Sequence, residues 1–230
     1  MTINPNFYTM KKFRLILVVA LLLGGMSTVS AQEYERHNIS IHLGGVLPLQ
    51  EFAANGGHPV FIGAFGDRGY ATFGASLGLK YNYIFDFGLG VYAAADGFWN
   101  MINKPTSDMY DKVSCTKPMY INVPILAGVN YVTDFSDVID VWAEAGIGAN
   151  LFFKTPEGWN DNLIKYQMTA SFATGAGVGV TFIDRISIGA HFYWLGNQRV
   201  KVKDIDYDET YIVAPRMQTS MMVFKVGFHF

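Results

Sequence analysis

The residues best suited to chemistry are charged and histidine side chains that stand singly among apolar and small residues. They are Lys80, Asp96, Glu144, Lys225, His42, His191 and His229. Counting along the chain puts Lys80, Glu144, Lys225 and His42 at similar depth, and we predict that Glu144 bridges one or both lysines. An unpaired buried ion costs several kcal/mol, so such a cluster implies mutual compensation. The cluster either fills an interior permanently or forms a gate or ion path.

Length and composition limit the classes of protein to consider. The 230 residues suffice for one domain with a core. Charged residues make up 16%, whereas the chain has 24 glycines, 18 phenylalanines and 13 tyrosines. The formal net charge of -2 and the lack of a basic run make nucleic acid an unexpected partner. The single cysteine, Cys115, lacks Cys or His at ligand spacing, so neither a metal nor any other cofactor is predicted.

The elements that must position these residues are β-strands. Large apolar residues alternate with small or polar ones along most of the chain, which is the mark of strands with two different faces. Eight strands are predicted, at residues 38–49, 70–83, 87–96, 119–132, 141–153, 166–182, 186–194 and 216–230. Pro124 cannot donate to a strand ladder, so we expect a local bulge in the fourth strand.

The connections between these strands alternate in length. Those after the second, fourth and sixth strands are short, at residues 85–86, 133–140 and 183–185. Those after the odd-numbered strands are long, at residues 50–69, 97–118, 154–165 and 195–215. Transmembrane barrels have short periplasmic turns and long extracellular loops. The predicted fold is therefore an all-β, antiparallel up-and-down barrel of eight strands, unless hairpins within the long loops, such as residues 59–65, raise the number to ten.

The size of the side chains decides which face of each strand points outward. One face collects Phe, Leu, Ile and Val, and the other collects Gly, Ser, Thr, Asn and isolated charges. An eight-stranded barrel has an interior just wide enough for side chains to fill, and small polar groups can satisfy one another there. The same groups turned to hydrocarbon would cost several kcal/mol each. We therefore predict that the polar face lines the interior of a transmembrane barrel in the outer membrane of a Gram-negative bacterium.

The first 31 residues have the three parts of a cleavable signal peptide. Lys11, Lys12 and Arg14 precede an apolar stretch at residues 15–23, and Ala31 ends a small-residue cleavage site. Nine apolar residues cover about 14 Å as a helix, too short for a membrane anchor. Cleavage is predicted after Ala31, with Met10 as the natural start and residues 32–230 as the barrel domain.

Two short segments resemble a known family of barrels. Residues 120–125, Tyr-Ile-Asn-Val-Pro-Ile, are similar to a Tyr-x-x-Ile-Pro segment of the outer-membrane β-barrel domain family, which includes PorT-like proteins. The last strand places apolar residues at every second position and ends on Phe230. This pattern resembles the insertion signal that the barrel-assembly machinery reads in the periplasm. The resemblance implies a fold and a membrane location, and it supplies no catalytic residues.

The long loops are the predicted functional surface, because rigid scaffolds commonly present binding residues there. Clustered acids in the last loop could hold a divalent cation or contact calcium bound to lipopolysaccharide, or they could simply be solvated. The candidate binding residues are Trp99 in the second loop and Asp204, Asp206, Tyr207, Asp208 and Glu209 in the last. The second loop also exposes apolar groups suited to a partner or glycan. Membrane lipid and lipopolysaccharide are expected partners, and no extracellular ligand is specified.

Catalysis is not predicted. Some small outer-membrane barrels modify lipid A with Ser and His side chains on the lipid-facing surface. Here Ser40, Ser187, His42 and His191 project inward by the alternation, where a lipid substrate cannot reach them. We therefore predict a structural or surface-binding barrel. The alternative is a narrow, porin-like channel or a component of a transport or secretion system.

Overall fold

A computed structural model describes residues 37–54, 68–102, 119–136, 138–159, 162–203 and 210–230. Its elements are β1 (His37–Leu49), α1 (Gln50–Ala53), β2 (Ala71–Ile84), β3 (Leu89–Ile102), β4 (Tyr120–Ser136), β5 (Ile139–Lys154), β6 (Glu157–Trp159), β7 (Asn162–Gln167), β8 (Thr169–Phe182), β9 (Ile186–Lys203) and β10 (Thr210–His229). The predicted signal peptide, its cleavage site at Ala31 and Cys115 lie outside the described residues. The described residues include no helix that is long and apolar enough to cross a membrane.

Eight of the described strands form a closed antiparallel wall. They pair in the order β1, β2, β3, β4, β5, β8, β9 and β10, and β10 pairs with β1 to close the ring, from Ser40 opposite His229 to Leu49 opposite Ser220. The remaining two strands, β6 and β7, form a hairpin, and β7 also pairs with β9 where Lys165 lies opposite Lys203. The predicted eight-stranded barrel is confirmed, with the extra hairpin at one end.

We call the two ends of the barrel the turn end and the loop end. Short connections join β2 to β3, β4 to β5 and β8 to β9 at the turn end, where β1 starts and β10 finishes. In the first of these turns, Gly88 has a φ of 84°, and a Cβ at this position would lie 2.4 Å from the Val132 oxygen. A side chain is excluded there, so the turn requires glycine.

Several strands are longer than predicted, and one predicted strand is divided. β3 runs on to Ile102 and β9 to Lys203, so parts of two predicted loops belong to the wall. The predicted strand at residues 166–182 is interrupted at Met168, between β7 and β8. Across from this interruption the Gln198 amide donates to the Leu195 oxygen, and the Ser171 hydroxyl donates to the same oxygen at 2.6 Å. Side-chain hydrogen bonds therefore replace part of the backbone ladder.

The bulge expected at Pro124 is absent. Pro124 lies opposite Asn150 of β5 in an unshifted register. On the β3 side, Ala95 pairs with Ile125 and Phe98 pairs with Asn122, which also preserves a single register. The two strands accommodate the missing donor by leaving a gap of two residue pairs in the ladder, without inserting a residue. Bulges occur elsewhere, for example between Ala71 and Gly74 of β2.

The outside of the wall is apolar and the inside is polar. Phe73, Ile147 and Val178 are 65%, 62% and 60% exposed on the outer face. The inward-facing Ser76 is 5% exposed, and charged residues of β3 and β10 are buried inside. Large apolar side chains facing out around a closed barrel with a charged interior form a surface suited to lipid and not to water.

The loop-end half of the interior contains an apolar cluster together with the buried amides of Asn100, Asn122 and Asn150. Helix α1 folds over this end and inserts Phe52, whose ring lies 5.2 Å from that of Tyr120. Its first residues are bound to β10, because the Ser220 hydroxyl donates to the Gln50 side chain at 3.0 Å and the backbone N–H of Gln218 donates to the Glu51 carboxylate at 3.1 Å. The buried apolar side chains around it include Val46, Phe98, Phe152, Leu195, Met217 and Met221.

Candidate functional site

The middle of the interior holds two buried ion pairs, and the first joins β2 to β5. The Lys80 ammonium donates to the Glu144 carboxylate, and both side chains are nearly inaccessible, at 10% and 6% exposed. The other Glu144 oxygen lies 3.0 Å from His191 Nε2 of β9. Lys80 also lies over the Tyr92 and Trp142 rings, at 4.9 and 5.4 Å from their centroids. Aromatic faces and one carboxylate thus surround the ammonium.

The second ion pair joins β10 to β3. Lys225 Nζ donates to Asp96 Oδ1 and to the Tyr193 hydroxyl, both at 2.7 Å. Tyr193 in turn donates to the second Asp96 oxygen at 2.9 Å, which closes a three-membered network. All three side chains are buried. Lys80 and Lys225 therefore each have their own carboxylate, whereas the buried Lys154 donates to the Tyr166 hydroxyl at 3.1 Å.

The local fold makes room for these side chains with glycine on the neighbouring strand. Asp96 lies opposite Gly78 of β2, where a Cβ would come 1.9 Å from its carboxylate oxygen. His191 likewise lies opposite Gly177 of β8, where a Cβ would come 2.2 Å from the imidazole ring. Large polar side chains on one strand thus fill the space that glycine leaves on the next.

The four residues predicted to form one cluster are distributed between two networks and the turn end. Glu144 contacts Lys80, whereas Lys225 pairs with Asp96. His42 lies nearer the turn end, with its ring centroid 6.3 Å from that of His229. Tyr193 was not among the predicted site residues, because its place opposite Gly175 and Met221 depends on a strand register that the sequence does not display.

The predicted loop site is only partly described. Trp99 lies in β3 and not in a loop, and its side chain is 37% exposed on the outer face. The strand continues past the predicted end at residue 96 because Trp99 pairs with Ala75 of β2 and Ile121 of β4. Asp204, Asp206, Tyr207, Asp208 and Glu209 lie outside the described residues. Among the described residues, no group of three or more His, Cys, Asp or Glu side chains is arranged to hold a metal ion.

The arrangement favours a filled interior over an open path. The ion pairs occupy its middle, and the rings of Phe98 and Tyr193 pack 5.0 Å apart directly beside the second pair. Beyond them, Tyr120 and Phe152 stack at 5.8 Å beneath Phe52. These aromatic side chains are buried, so the chain's own residues close the interior from its middle to the loop end.

Comparison with known proteins gives matches at the level of structure alone. No protein-family model matches the sequence, and no curated protein sequence is significantly similar to it. Neisserial surface protein A is 11% identical with a TM-score of 0.49, covering 86% of this chain and 98% of that one. OprG from Pseudomonas aeruginosa is 13% identical with a TM-score of 0.49, covering 84% and 95%. A major outer membrane protein from Thermus thermophilus is 12% identical with a TM-score of 0.46, covering 84% and 99%.

The barrel's own surface decides its location. A closed antiparallel barrel leaves no backbone group of its wall unpaired at a sheet edge, which a structure crossing hydrocarbon requires. Its outer face carries a belt of exposed large apolar side chains, and two buried ion pairs lie inside. The protein is a transmembrane β-barrel of the bacterial outer membrane.

Proposed function

We propose that the protein is a structural or ligand-binding barrel that acts through the surface at its loop end and not through its interior. The observation that carries this proposal is the filled interior, in which Lys80 and Lys225 are each neutralised by a carboxylate and Phe52 closes the loop end. A buried pair of opposite charges has little net attraction for an ion in solution, and the buried rings of Tyr120 and Phe152 fill the interior beneath Phe52.

Single-channel recording in planar lipid bilayers tests the proposal. The refolded full chain is expected to give no discrete openings at voltages that open porins. A variant with Phe52→Gly and Tyr120→Ala, which removes the packing under α1, serves as the positive control for a widened interior. Regular openings of the unaltered protein would contradict the proposal and favour the narrow channel.

A component of a transport or secretion system is the second candidate. The segment at residues 120–125 supports it, because this segment resembles that of the family containing PorT-like barrels. In this alternative the barrel works with partner proteins, and its own interior does not conduct. Deletion of the gene followed by analysis of secreted and surface proteins separates the candidates, since loss of many exported proteins would favour the transport role.

We also propose that the outer face near the loop end contacts lipopolysaccharide. Lys165 of β7 and Arg199 of β9 are exposed, and Lys201 is half-buried two residues along the same face. Cations on this face, beyond the apolar belt, suit the phosphate groups of the outer leaflet. Arg199→Gln with Lys201→Gln is expected to weaken binding to lipopolysaccharide vesicles, whereas a change in neither affinity nor salt dependence would contradict the contact.

Assembly through the last strand is a further part of the proposal. Phe224, Val226 and Phe228 of β10 face outward at every second position, and β10 closes the ring by pairing with β1. An assembly machinery that reads this strand is expected to fail when Phe228 and Phe230 are replaced by alanine. Normal folded amounts of that variant in the outer membrane would contradict this part.

A further inference from the structure

A serine, a histidine and an asparagine form a hydrogen-bonded chain at the turn end of the interior. His229 Nε2 lies 2.8 Å from Ser187 Oγ, and His229 Nδ1 lies 3.0 Å from Asn38 Oδ1. The three residues come from β9, β10 and β1, which are neighbours in the closed wall. The two ion pairs of the interior use none of them.

The hydrogen bonds set the direction in which the Ser187 proton moves. A carboxamide oxygen can only accept a hydrogen bond, so the contact with Asn38 Oδ1 places the imidazole proton on Nδ1 of His229. His229 Nε2 is then unprotonated and accepts from the Ser187 hydroxyl. This order of nucleophile, base and orienting group is the one that activates a serine for attack on a carbonyl.

A second histidine faces the same small space. Gly227 lies opposite Ser187 of β9 and opposite His42 of β1. A Cβ on Gly227 would come 2.4 Å from Ser187 Oγ and 2.8 Å from His42 Nε2. The Ser187 hydroxyl and the His42 imidazole therefore fill the space that the glycine leaves and lie beside each other there.

The position of Ser187, His229 and Asn38 in the barrel determines which molecules could reach them. Asn38 is the second residue of β1, Ser187 is the second residue of β9, and His229 is the last residue of β10. The Asn38 and His229 side chains are half-buried, while Ser187 is 4% exposed. The group is thus at the mouth of the turn end and faces inward, away from lipid. Its reactants would be small and would arrive from water.

We propose that Ser187 is a nucleophilic serine that is acylated by small water-soluble esters entering from the turn end. Ser187 Oγ forms a bond to the ester carbonyl carbon as His229 Nε2 takes the hydroxyl proton. The ester C–O bond breaks, and the leaving alkoxide receives that proton from His229. Water then attacks the acyl-serine with His229 as base, which releases the carboxylic acid and restores Ser187. Asn38 is a positioning residue. This activity is separate from the proposed surface function.

The test uses the full chain folded in detergent micelles and a short-chain alkyl fluorophosphonate as the probe. Intact-mass measurement is expected to show one phosphonyl adduct per chain, and peptide mapping is expected to place it on Ser187. Ser187→Ala should abolish the adduct. Ser76→Ala is the matched control, because Ser76 is another buried inward-facing serine away from His229. Each variant is checked for folding by its mobility on unheated denaturing gels.

The histidine and the asparagine have distinct expected effects. His229→Gln should lower the labelling rate at least about 100-fold, since it removes the general base. Asn38→Leu should lower the rate, whereas Asn38→Asp should restore it, because a carboxylate also accepts from Nδ1. A merely structural Asn38 would not distinguish these two variants when both are folded.

Labelling of the unaltered protein by itself tests whether Ser187 is a nucleophile. The test therefore does not depend on the folding of any variant. A folded, unaltered chain that forms no adduct overturns the proposal, as does an adduct mapped to a different residue. Labelling of folded His229→Gln at the unaltered rate overturns the assignment of the base. Release of nitrophenol from p-nitrophenyl acetate, lost in Ser187→Ala and kept in Ser76→Ala, would support complete turnover.

Discussion

Replacing Glu144 by glutamine should destabilise the barrel by about 3 to 5 kcal/mol, because it leaves a buried lysine without its carboxylate. Lys80 is 10% exposed and lies between two aromatic rings, so water has little access to the unpaired ammonium. Glu144→Gln also replaces the carboxylate that lies 3.0 Å from His191. The loss should therefore lie well beyond the range of about 0.5 kcal/mol that is usual for surface substitutions.

Urea titration of the protein in phospholipid vesicles measures this loss, with tryptophan fluorescence and gel mobility as two reporters. With a slope of about 2 to 3 kcal/mol per molar urea, the midpoint should fall by at least about 1 M. The double variant Lys80→Met with Glu144→Gln removes both charges and should recover most of the lost stability. A Glu144→Gln midpoint equal to that of the unaltered protein would refute the buried pair, as would a double variant whose loss equals the sum of the two single losses.

Three further changes probe the core, a turn and the lipid face by the same titration. Phe52→Ala should lower the free energy of unfolding by about 3 to 5 kcal/mol, because Phe52 is fully buried, and a loss under about 1 kcal/mol would show that α1 does not close the barrel. Gly88→Val should cost at least about 1 to 3 kcal/mol through strain at a φ of 84° and overlap with the Val132 oxygen, and no loss would contradict the turn geometry. Ile147→Arg should cost about 2 to 4 kcal/mol in lipid while Ile147→Leu costs little, and equal effects would place residue 147 away from hydrocarbon.

The wall of the barrel could be predicted from the sequence because its two faces differ in side-chain size. Ile147 and Val178 alternate with glycines along β5 and β8, and that contrast gave both the strands and their orientation. The ends of the strands were harder to predict. At the end of β9, Arg199 and Lys201 alternate with Val200, as expected for a strand. Because both alternating residues are charged, this segment has the composition of a loop. The length of β9 is set by its pairing with β7 and β10, and this pairing cannot be predicted from the local sequence.

The ion pairs show a second limit of sequence reasoning. Alternation and distance from a turn give the face and depth of Glu144, but not its position around the barrel axis. Lys225 and Asp96 come together because β10 and β3 face each other across the interior, although they are not neighbours in the wall. The contact of His229 with Ser187 and Asn38 joins neighbouring strands, but it depends on the register of three strands at once. Such contacts follow from tertiary geometry.

The outward placement of bulky side chains is the central claim, and spin labels test it directly. Single cysteines at Phe73, Ile147 and Val178, in a chain with Cys115 replaced by serine, would carry a nitroxide in lipid vesicles. Collision with oxygen, which concentrates in hydrocarbon, should be frequent at these three positions and rare at the inward-facing Ser76 and Thr181. Frequent collisions at Ser76 and Thr181, with rare ones at the other three positions, would contradict the account.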